Sequence, residues 1–444
     1  MNYNGKRVAV IGAGRSGAAA ALLLVGLGSI VSLLDNKTST QLNSKVEMLR
    51  GLGVEVYLGL EAHSDIDCSI YDLAVLSPGV DPRLPIVQAF IIKLVPVIAE
   101  IELAYTCCAK PVIGITGTNG KTTTTELVAA MLAASGVHTV TGGNIGKPFS
   151  EIIYEGADSY DVVTLEVSSF QLERIRKFKP AISVWLNLAP DHLDRYTDVD
   201  DYRAAKLRIF ENQTAENFAI VNFRDNLPNL SAQRITFSAY ELGGDLDLRE
   251  DVIHYKGLPV LDQMQTRLRG KHNAENLMAA VGVGVAHGLS REQMQKGLCA
   301  YEPAPHRLEL VRTLNGVSFI NDSKATNLDA LEKALDAFGE KKPIILIAGG
   351  KNKGFGFDSL RSLVSRRARW AILIGEMAPR IFEQWQDALP CEMAASLEHA
   401  VKIAWSIARP NEVVLFSPGT SSFDMFKSYV ERGEQFKLIV SELF

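Results

Sequence analysis

The sequence has few cysteines, and their spacing argues against two kinds of site. Among 444 residues there are five cysteines, and no two of them form a C-x-x-C pair. We therefore expect neither a disulfide framework nor a zinc site, and a reducing compartment is favoured. The adjacent pair Cys107 and Cys108 is interpreted as small apolar packing rather than as a redox device.

A strong net charge is also missing. The formal net charge is −5, and the chain has 22% charged and 47% hydrophobic residues, which is typical of a globular protein. Because there is no basic surface to predict, we do not expect nucleic acid as a partner.

A membrane-spanning helix and a signal peptide are not predicted either. The segment Gly17–Leu34 is uncharged and long enough to cross a bilayer, but Gly26 and Gly28 interrupt it. It is better explained as a helix followed by a buried strand. The N-terminal residues MNYNGKR lack the apolar core of a signal peptide. We therefore expect a cytoplasmic protein with no membrane insertion.

Apolar runs alternate with helical stretches in three successive blocks, without a low-complexity linker. This alternation predicts βαβ units and parallel sheets. The predicted strands are Val8–Ile11, Ile30–Leu34 and Leu73–Leu76, then Pro111–Thr116, Val162–Glu166 and Ile182–Leu188, and finally Ile344–Ala348, Ala371–Ile374 and Val413–Ser417. We predict an α/β fold with domains at residues 1–100, 101–304 and 305–444. Ligands are expected beyond the carboxyl ends of the strands.

A glycine-bearing turn follows the predicted strand Pro111–Thr116. It reads Gly117-Thr-Asn-Gly-Lys-Thr122 and leads into a helical pattern. In such a turn, backbone N–H groups and a helix N-terminus bind phosphate. Lys121 would contact the outer phosphates of a nucleotide, and the Thr122 hydroxyl would bind Mg²⁺. The strict pattern fails at its first glycine position, which is Ile115, but the strand–turn–helix context still predicts a P-loop.

Polar residues end the two strands expected beside this turn. Glu166 closes one strand, and Asp191-His192 follow the other after Asn187. A carboxylate at this place is suited to the Mg²⁺ of a nucleotide. From chemistry alone, His192 is either a metal ligand or a local hydrogen-bonding residue.

The N-terminal block carries a dinucleotide-binding fingerprint. Gly12-x-Gly14-x-x-Gly17 follows a strand and precedes a helix, and Asp35 ends the next strand. Alone, this pattern indicates NAD and an oxidoreductase. However, it requires only a diphosphate and a hydroxylated ring, which a UDP-sugar also provides. A dehydrogenase therefore stays as an alternative.

Several segments, taken together, resemble the Mur ligases. They are GTNGKTTT (117–124), EVSSFQLE (166–173), NLAPDHLDRY (187–196), YRAAKLRIFE (202–211), His272-Asn273 with Asn276, PHRLE (305–309), NDSKATN (321–327) and SPGTSSFDMFKSY (417–429). The motifs occur in order over nearly the whole chain. The resemblance implies a Rossmann-like N-terminal domain, a central P-loop ATPase-type parallel sheet and a Rossmann-like α/β C-terminal domain.

The same resemblance implies an activity. Mur ligases use ATP to convert a carboxylate into an acyl phosphate, which an amine then attacks. The motifs are most similar to the branch that adds D-glutamate to UDP-N-acetylmuramoyl-L-alanine in peptidoglycan precursor synthesis. ATP, two Mg²⁺ sites, a CO₂-derived carbamate on Lys206 and a monomeric protein are implied.

Matching positions then assign roles to residues. The catalytic group is Lys121, Lys206, His192 and Asn144. The metal ligands are Thr122, Glu166, His192 and the modified Lys206. The ATP-binding residues are Gly117, Thr118, Asn119, Gly120, Lys121, Thr122, Thr123, Asn276, Arg307 and Asp322. The UDP-substrate residues are Gly14, Ser16, Asp35, Asn36, Lys37, Gly79 and Ser168. The amino-acid-binding residues are Lys324, Thr326, Lys353, Ser422 and Tyr429.

Without the resemblance, some of these residues would be given ordinary roles. Lys206 and Lys353 would be solvated lysines, Tyr429 a core aromatic, and His306, to which no role is assigned, a solvent-facing loop residue. The chain also departs from the family in the segment Gly349–Lys353, which reads GGKNK where an acidic residue is often found.

Two further alternatives remain. A ligase of the same architecture could add another amino acid or act on folate, although the folate enzymes resemble only the last two domains. An inactive binding protein is disfavoured because the lysines, threonine, glutamate and histidine assigned to chemistry are all present.

Overall fold

The computed structural model describes residues 2–36, 43–59, 66–192, 195–303, 305–338, 343–352 and 356–444. Two of the predicted site residues, Lys37 and Lys353, lie outside these ranges. The chain divides into two compact units, Met1–Thr266 with Ala274–Tyr301, and Arg267–Asn273 with Glu302–Phe444. The domain boundaries near residues 100 and 304 stay predictions.

The first sheet is built from short apolar strands buried between helices. Its strands are β1 (Arg7–Ile11), β2 (Ile30–Asp35), β3 (Glu55–Leu58), β4 (Leu73–Leu76) and β5 (Val97–Ala99), and its helices are α1 (Arg15–Gly26), α2 (Asn43–Gly51), α3 (Pro85–Ile92) and α4 (Glu100–Thr106). The strands are parallel in the order β3-β2-β1-β4-β5. The uncharged segment Gly17–Leu34 is largely α1 followed by β2, as predicted. In the described part of the chain, no helix combines the length and apolar character needed to cross a bilayer.

The second sheet carries the predicted P-loop. Its strands are β6 (Val112–Thr116), β7 (Thr139–Gly143), β8 (Val162–Glu166), β9 (Ile182–Trp185), β10 (Phe218–Asn222), β11 (Gln233–Ser238), β12 (Leu246–Arg249), β13 (Val252–Tyr255) and β14 (Leu258–Asp262). The associated helices are α5 (Lys121–Ala134), α6 (Phe149–Glu155), α7 (Ser169–Leu172), α8 (Val199–Leu207), α9 (Lys271–His287) and α10 (Arg291–Ala300). The strand order is β14-β13-β12-β11-β10-β9-β6-β8-β7, and β6 pairs in parallel with both β8 and β9. The carboxyl ends of these three strands therefore lie side by side.

The third sheet is mostly parallel and is covered on both faces. Its strands are β15 (Glu309–Leu314), β16 (Val317–Asn321), β17 (Ile344–Gly349), β18 (Ala368–Ile374), β19 (Cys391–Met393) and β20 (Val413–Phe416), and its helices are α11 (Leu328–Ala337), α12 (Arg361–Arg367), α13 (Ala378–Trp385), α14 (Leu397–Ile407) and α15 (Tyr429–Ser441). The order is β15-β16-β20-β17-β18-β19, with β15 antiparallel to β16. Alternate residues of β17 enter opposite cores, Leu346 on one face and Ile347 on the other. This alternation follows from the two-residue period of a strand.

The predicted α/β fold is confirmed, and the carboxyl ends of the predicted strands are observed within one residue in all cases but one. The strand predicted as Ile182–Leu188 ends at Trp185. It ends early because Asn187 leaves the sheet and bonds to the glycine turn after β6.

Candidate functional site

The glycine turn after β6 leads directly into helix α5. Gly120 has φ +81°, and a Cβ there would lie 2.3 Å from Asn276 Oδ1, so only glycine fits without displacement. The Lys121 Nζ group lies inside the turn and donates to Gly117 O at 2.9 Å and Thr118 O at 2.8 Å. The turn thus presents a cation beside the N-terminus of a helix, which is the arrangement expected for a phosphate site.

Asn187 fixes the shape of this turn from the neighbouring strand. Its side chain accepts from Asn119 N at 2.9 Å and donates to Asn119 O at 3.1 Å. Its carbonyl accepts from Thr118 N at 3.0 Å. No role was predicted for Asn187, although its place at the end of a predicted strand was a usable signal.

A chain of hydrogen bonds joins the turn to the next strand. Thr122 Oγ1 donates to Glu166 Oε2 at 2.8 Å, and Asn144 Nδ2 donates to Glu166 Oε1 at 2.8 Å. Glu166 is buried at the end of β8, with 2% of its surface exposed. The structure therefore brings together the carboxylate and the hydroxyl that were predicted as metal ligands, and it adds Asn144 to them.

Lys206 is buried, contrary to what its helix alone would suggest. It is 1% exposed, and its Nζ donates to Gly117 O at 2.9 Å. Burial lowers its pKa well below the ordinary value, and the nearby Lys121 lowers it further, whereas Asp191 and Glu166 act in the opposite direction. A neutral amine in this place is the form that reacts with CO₂.

His192 lies on the loop after β9 and is more open to solvent than Lys206. Its backbone has φ +55°, and 45% of its side chain is exposed. Its Nε2 is 3.8 Å from Asp191 Oδ2, and its ring centroid is 4.7 Å from that of Phe170. The side chains that the structure describes contain no group of three His, Cys, Asp or Glu residues arranged as a metal site.

The remaining ATP-binding candidates fall in both units. Thr123 is in the first turn of α5, and Asn276 of α9 accepts from Thr124 Oγ1 at 3.3 Å in the same unit. Arg307 and Asp322 belong to the second unit. Asp322 Oδ2 accepts from Ser417 Oγ at 2.8 Å, and burial raises its pKa to about 7.

A cavity of about 920 Å³ lies against the N-terminal fingerprint. Five of the predicted UDP-substrate residues line it, namely Gly14, Ser16, Asp35, Asn36 and Gly79. Asn144 and Gln171 from the second sheet line it too, so it reaches from the first glycine turn to the partner of Glu166. Asp35 Oδ2 accepts from Ala13 N at 2.6 Å and so shapes the first turn itself.

Ser168 has a local role that accounts for its position. It caps helix α7 in a capping box with Gln171, accepting from Gln171 N at 3.4 Å while Gln171 Oε1 accepts from Ser168 N at 3.0 Å. The S-x-x-Q pattern in the sequence was the signal for this cap. Of the two residues, it is Gln171 that lines the cavity.

The amino-acid-binding candidates gather at the carboxyl edge of the third sheet. Lys324 Nζ lies 5.2 Å from the centre of the Tyr429 ring, and Ser422 is buried on the loop after β20. Thr326 is half-buried on the loop after β16. Arg432, which the sequence analysis did not consider, donates to Ser323 O at 2.8 Å and to Thr420 O at 3.2 Å, and so ties the two loops together.

His306 is not the solvent-facing loop residue that was expected. It is 4% exposed, and its Nδ1 lies 2.9 Å from Asn321 Nδ2. Burial lowers the pKa of His306. A Cβ at Gly433 would lie 2.2 Å from His306 Nδ1, so a helical glycine makes room for the ring. The correction reflects a contact across more than a hundred residues, which local sequence does not reveal.

The backbone of the glycine loop after β17 donates a hydrogen bond to a carboxylate on another loop. Glu376 Oε2 accepts from Asn352 N at 3.2 Å, and Thr420 Oγ1 donates to Lys351 O at 2.6 Å. A carboxylate on the loop after β18 therefore bonds to the backbone of this segment.

The chain is similar to several known proteins. Two family models match it, the Mur ligase middle domain over residues 115–284 and the Mur ligase, glutamate ligase domain over residues 306–419. The UDP-N-acetylmuramoylalanine–D-glutamate ligase of Geobacter metallireducens is 39% identical over 100% of this chain and 99% of its own length. The enzyme of the same name from Koribacter versatilis is 41% identical over 100% and 99%. In fold, the MurF ligase of Thermotoga maritima, solved in complex with ADP, matches 99% of this chain and 96% of its own, with a TM-score of 0.61 and 15% identity.

Proposed function

The chain belongs to the Mur ligase family, and from this premise we propose that it joins D-glutamate to UDP-N-acetylmuramoyl-L-alanine with the use of ATP. The UDP-linked substrate supplies the carboxylate, and D-glutamate supplies the amine. The product is an amide in the synthesis of peptidoglycan precursors. Full-length similarity to two ligases of this name supports the choice of substrates.

One structural observation carries the proposal. The cavity begins at the fingerprint turn of the first sheet and is also lined by Asn144, which bonds to Glu166. Glu166 in turn bonds to Thr122 of the P-loop. A substrate whose diphosphate lies at the glycine turn of the first sheet would therefore extend its carboxylate toward the P-loop of the second sheet. There it would approach the outer phosphates of a bound nucleotide.

The reaction that this arrangement supports has two steps. A carboxylate oxygen of the UDP-linked substrate attacks the γ-phosphorus of ATP, and the bond to the β–γ bridging oxygen breaks, which gives an acyl phosphate and ADP. The amine nitrogen of D-glutamate then attacks the acyl carbon and loses a proton. The bond between the acyl carbon and the phosphate oxygen breaks, and phosphate leaves with the electron pair. Holding the reactants in register can contribute about 7–11 kcal/mol, so no covalent enzyme intermediate is required.

The residues at the P-loop suit the metal and the carbamate that the family implies. Thr122 and Glu166 place oxygen atoms 2.8 Å apart, and Mg²⁺ commonly takes one or two carboxylates together with phosphate oxygens. With His192 and a carbamate on Lys206, they would hold magnesium, which neutralises charge between the two reacting anions. The buried Lys206 fits this modification because its lowered pKa favours the neutral amine.

The second unit would hold the amino acid. D-glutamate carries two carboxylates, and Lys324, Ser422 and Tyr429 offer a cation and hydroxyl donors at one edge of the third sheet. Thr326 and Lys353 complete the proposed group. We place the reaction in the cytoplasm, where ATP and UDP-linked precursors are available, and propose a monomer, which sedimentation equilibrium would test.

Release of ADP with a panel of amino acids tests the proposal. In the presence of ATP, magnesium and UDP-N-acetylmuramoyl-L-alanine, we expect D-glutamate to give the fastest ADP release. Lys121→Ala should lower this rate more than tenfold, because the transferring phosphate loses its fixed cation. ADP release that prefers another amino acid would refute the choice of substrate.

The dehydrogenase alternative has its own test. A nicotinamide cofactor bound to the first sheet would be seen in the absorbance or fluorescence of NADH on addition of the protein. We expect no such change, and a saturable change in a protein that does not bind UDP-N-acetylmuramoyl-L-alanine would contradict the assignment of the cavity.

A further inference from the structure

The Arg195 side chain contacts three other residues, Glu173, Pro78 and Phe170. These neighbours connect the proposed UDP-substrate cavity with the proposed nucleotide site. Its Nε and one Nη donate to the two oxygens of Glu173 at 3.1 and 2.7 Å. The other Nη donates to Pro78 O at 3.3 Å, and the guanidinium carbon lies 4.0 Å from the centre of the Phe170 ring. The side chains of Arg195 and Glu173 are only 11% and 16% exposed, so this pair is held in a defined geometry.

The Pro78 contact reaches the cavity on the first sheet. Pro78 follows Ser77, whose hydroxyl donates to Gly12 O at 2.9 Å, and it precedes Gly79. All three residues of the loop Ser77–Gly79 line the cavity. Arg195 therefore supports a loop of the first sheet from a position on the second.

The contact with Phe170 connects Arg195 to His192, a proposed ligand of the nucleotide's magnesium. The ring of Phe170 contacts both the guanidinium of Arg195 and the His192 ring, whose centroid lies 4.7 Å from its own. His192 O also accepts from Arg195 N at 3.0 Å. His192 has φ +55°, which is uncommon for a residue other than glycine and is maintained by surrounding contacts.

We propose that Arg195 is a positioning residue that holds the loop Ser77–Gly79 and the His192 ring in place at the same time. The inference rests on the proposed function, because it takes the cavity as the UDP-substrate site and His192 as a ligand of the nucleotide's magnesium. Lysine cannot replace this arginine, since a single ammonium does not provide the planar fork that engages Glu173 on one edge and Pro78 on the other.

Two binding measurements on the full-length protein test the inference without relying on turnover. The first is the dissociation constant of UDP-N-acetylmuramoyl-L-alanine, measured by calorimetry without nucleotide or metal. The second is the gain in ADP affinity on replacing EDTA with magnesium. For Arg195→Lys we expect the first to weaken at least fivefold and the second to fall at least threefold.

Two further variants separate this role from general destabilisation. Phe170→Leu removes the ring beside His192 but leaves the contact with Pro78, so it should reduce the magnesium gain and leave substrate binding within twofold. Arg208→Lys is the matched control, because Arg208 donates to the backbone oxygens of Leu172, Glu173 and Ile175 in the same turn, whereas only Arg195 donates to Pro78 O and lies over Phe170 among the described contacts of these two arginines. It should lower thermal stability and change neither binding quantity.

The outcomes are distinct. Unchanged binding in folded Arg195→Lys would overturn the inference, and so would equal shifts in Arg195→Lys and Arg208→Lys, since these would indicate a purely structural effect. If Arg195→Lys does not fold, an unchanged magnesium gain in Phe170→Leu decides against the inference. A ligation assay on the wild type separates the two proposals, because failure to form product with D-glutamate would refute the proposed function instead.

Discussion

Lys206 shows how burial changes the chemistry of a single residue. Its amine is enclosed beside Gly117 O, and burial lowers its pKa. The lysine is therefore expected to be neutral more often than an exposed one, and CO₂ reacts with neutral amines. The proposed carbamate would give Lys206 a carboxylate-like anion, which is suited to binding magnesium.

A first prediction concerns Lys206. Lys206→Ala should lose more than 90% of ligase activity, and formate or acetate should restore part of it by occupying the vacated space. In the wild type, activity lost on removal of CO₂ should recover on addition of bicarbonate, which supplies dissolved CO₂ to the buried amine. Full activity of Lys206→Ala in degassed buffer would exclude this role.

A second prediction concerns Asp322, a buried carboxyl whose pKa is raised from 3.8 to about 7 by burial. Between these values the folded state binds more protons than the unfolded state, so this group's contribution to the free energy of unfolding falls as the pH rises. Asp322→Asn removes that contribution. The melting temperature of the variant minus that of the wild type should therefore increase as the pH rises from about 4.5 to 7.

The matched control for this prediction is Asp387→Asn, because the Asp387 side chain is 78% exposed. For Asp387→Asn, the difference in melting temperature from the wild type should stay constant over this pH range. If the melting temperatures of Asp322→Asn and the wild type changed equally with pH over this range, that result would contradict the raised pKa.

Helix α4 illustrates how one element fixes another. Its residue Glu102, which is 1% exposed, accepts from three consecutive backbone N–H groups, those of Arg176, Lys177 and Phe178, at 2.8 to 2.9 Å. Ala99, just before the helix, donates to Arg174 O at 3.0 Å. The end of the first sheet is thus bonded to the turn that follows α7, the helix that contributes Phe170 and Gln171.

A third prediction follows from this bonding. Glu102→Gln replaces one acceptor oxygen with an amide that faces an N–H donor, and it removes the negative charge. Because buried hydrogen bonds to charged groups are worth about 1.5–3 kcal/mol each, we expect a loss of about 2–4 kcal/mol in the free energy of unfolding. Urea denaturation measures the loss, with the exposed Glu216→Gln as the control. An unchanged urea midpoint would show that the three N–H groups find other partners.

At the scale of the whole molecule, the proposed sites are divided between the two units. The cavity, the P-loop and Lys206 belong to the first unit, whereas Lys324, Thr326, Ser422 and Tyr429 belong to the second. The proposed reaction requires both sets of residues. The first set can be tested by binding of the UDP-linked substrate, and the second by the KM for D-glutamate.

The fourth prediction uses this division. Lys324→Ala should raise the KM for D-glutamate at least tenfold, because a carboxylate of the amino acid loses its cation. The dissociation constant of UDP-N-acetylmuramoyl-L-alanine should stay within twofold. Lys402→Ala is the control, since Lys402 is exposed on α14 and pairs with Glu398. Weakened binding of the UDP-linked substrate in Lys324→Ala would contradict the division of roles.

The sequence by itself determined the fold class, the glycine turns and the ends of most strands that matter here. Apolar runs buried on both faces predict parallel strands, and glycine spacing predicts tight turns before helices, because both depend on residues close in the chain. The glycine turn itself indicated Lys121 and Thr122, and the family resemblance then named most of the other candidate residues.

Tertiary structure alone decided which distant groups share an environment. It buried Lys206 and His306, both of which local sequence would leave in solvent, and it placed Arg195 between Pro78 and Phe170. It also supplied Glu376 to a glycine loop that has no acidic residue of its own. These features depend on contacts between residues far apart in the chain, and burial, pKa and hydrogen-bond partners are set by such contacts rather than by neighbouring letters.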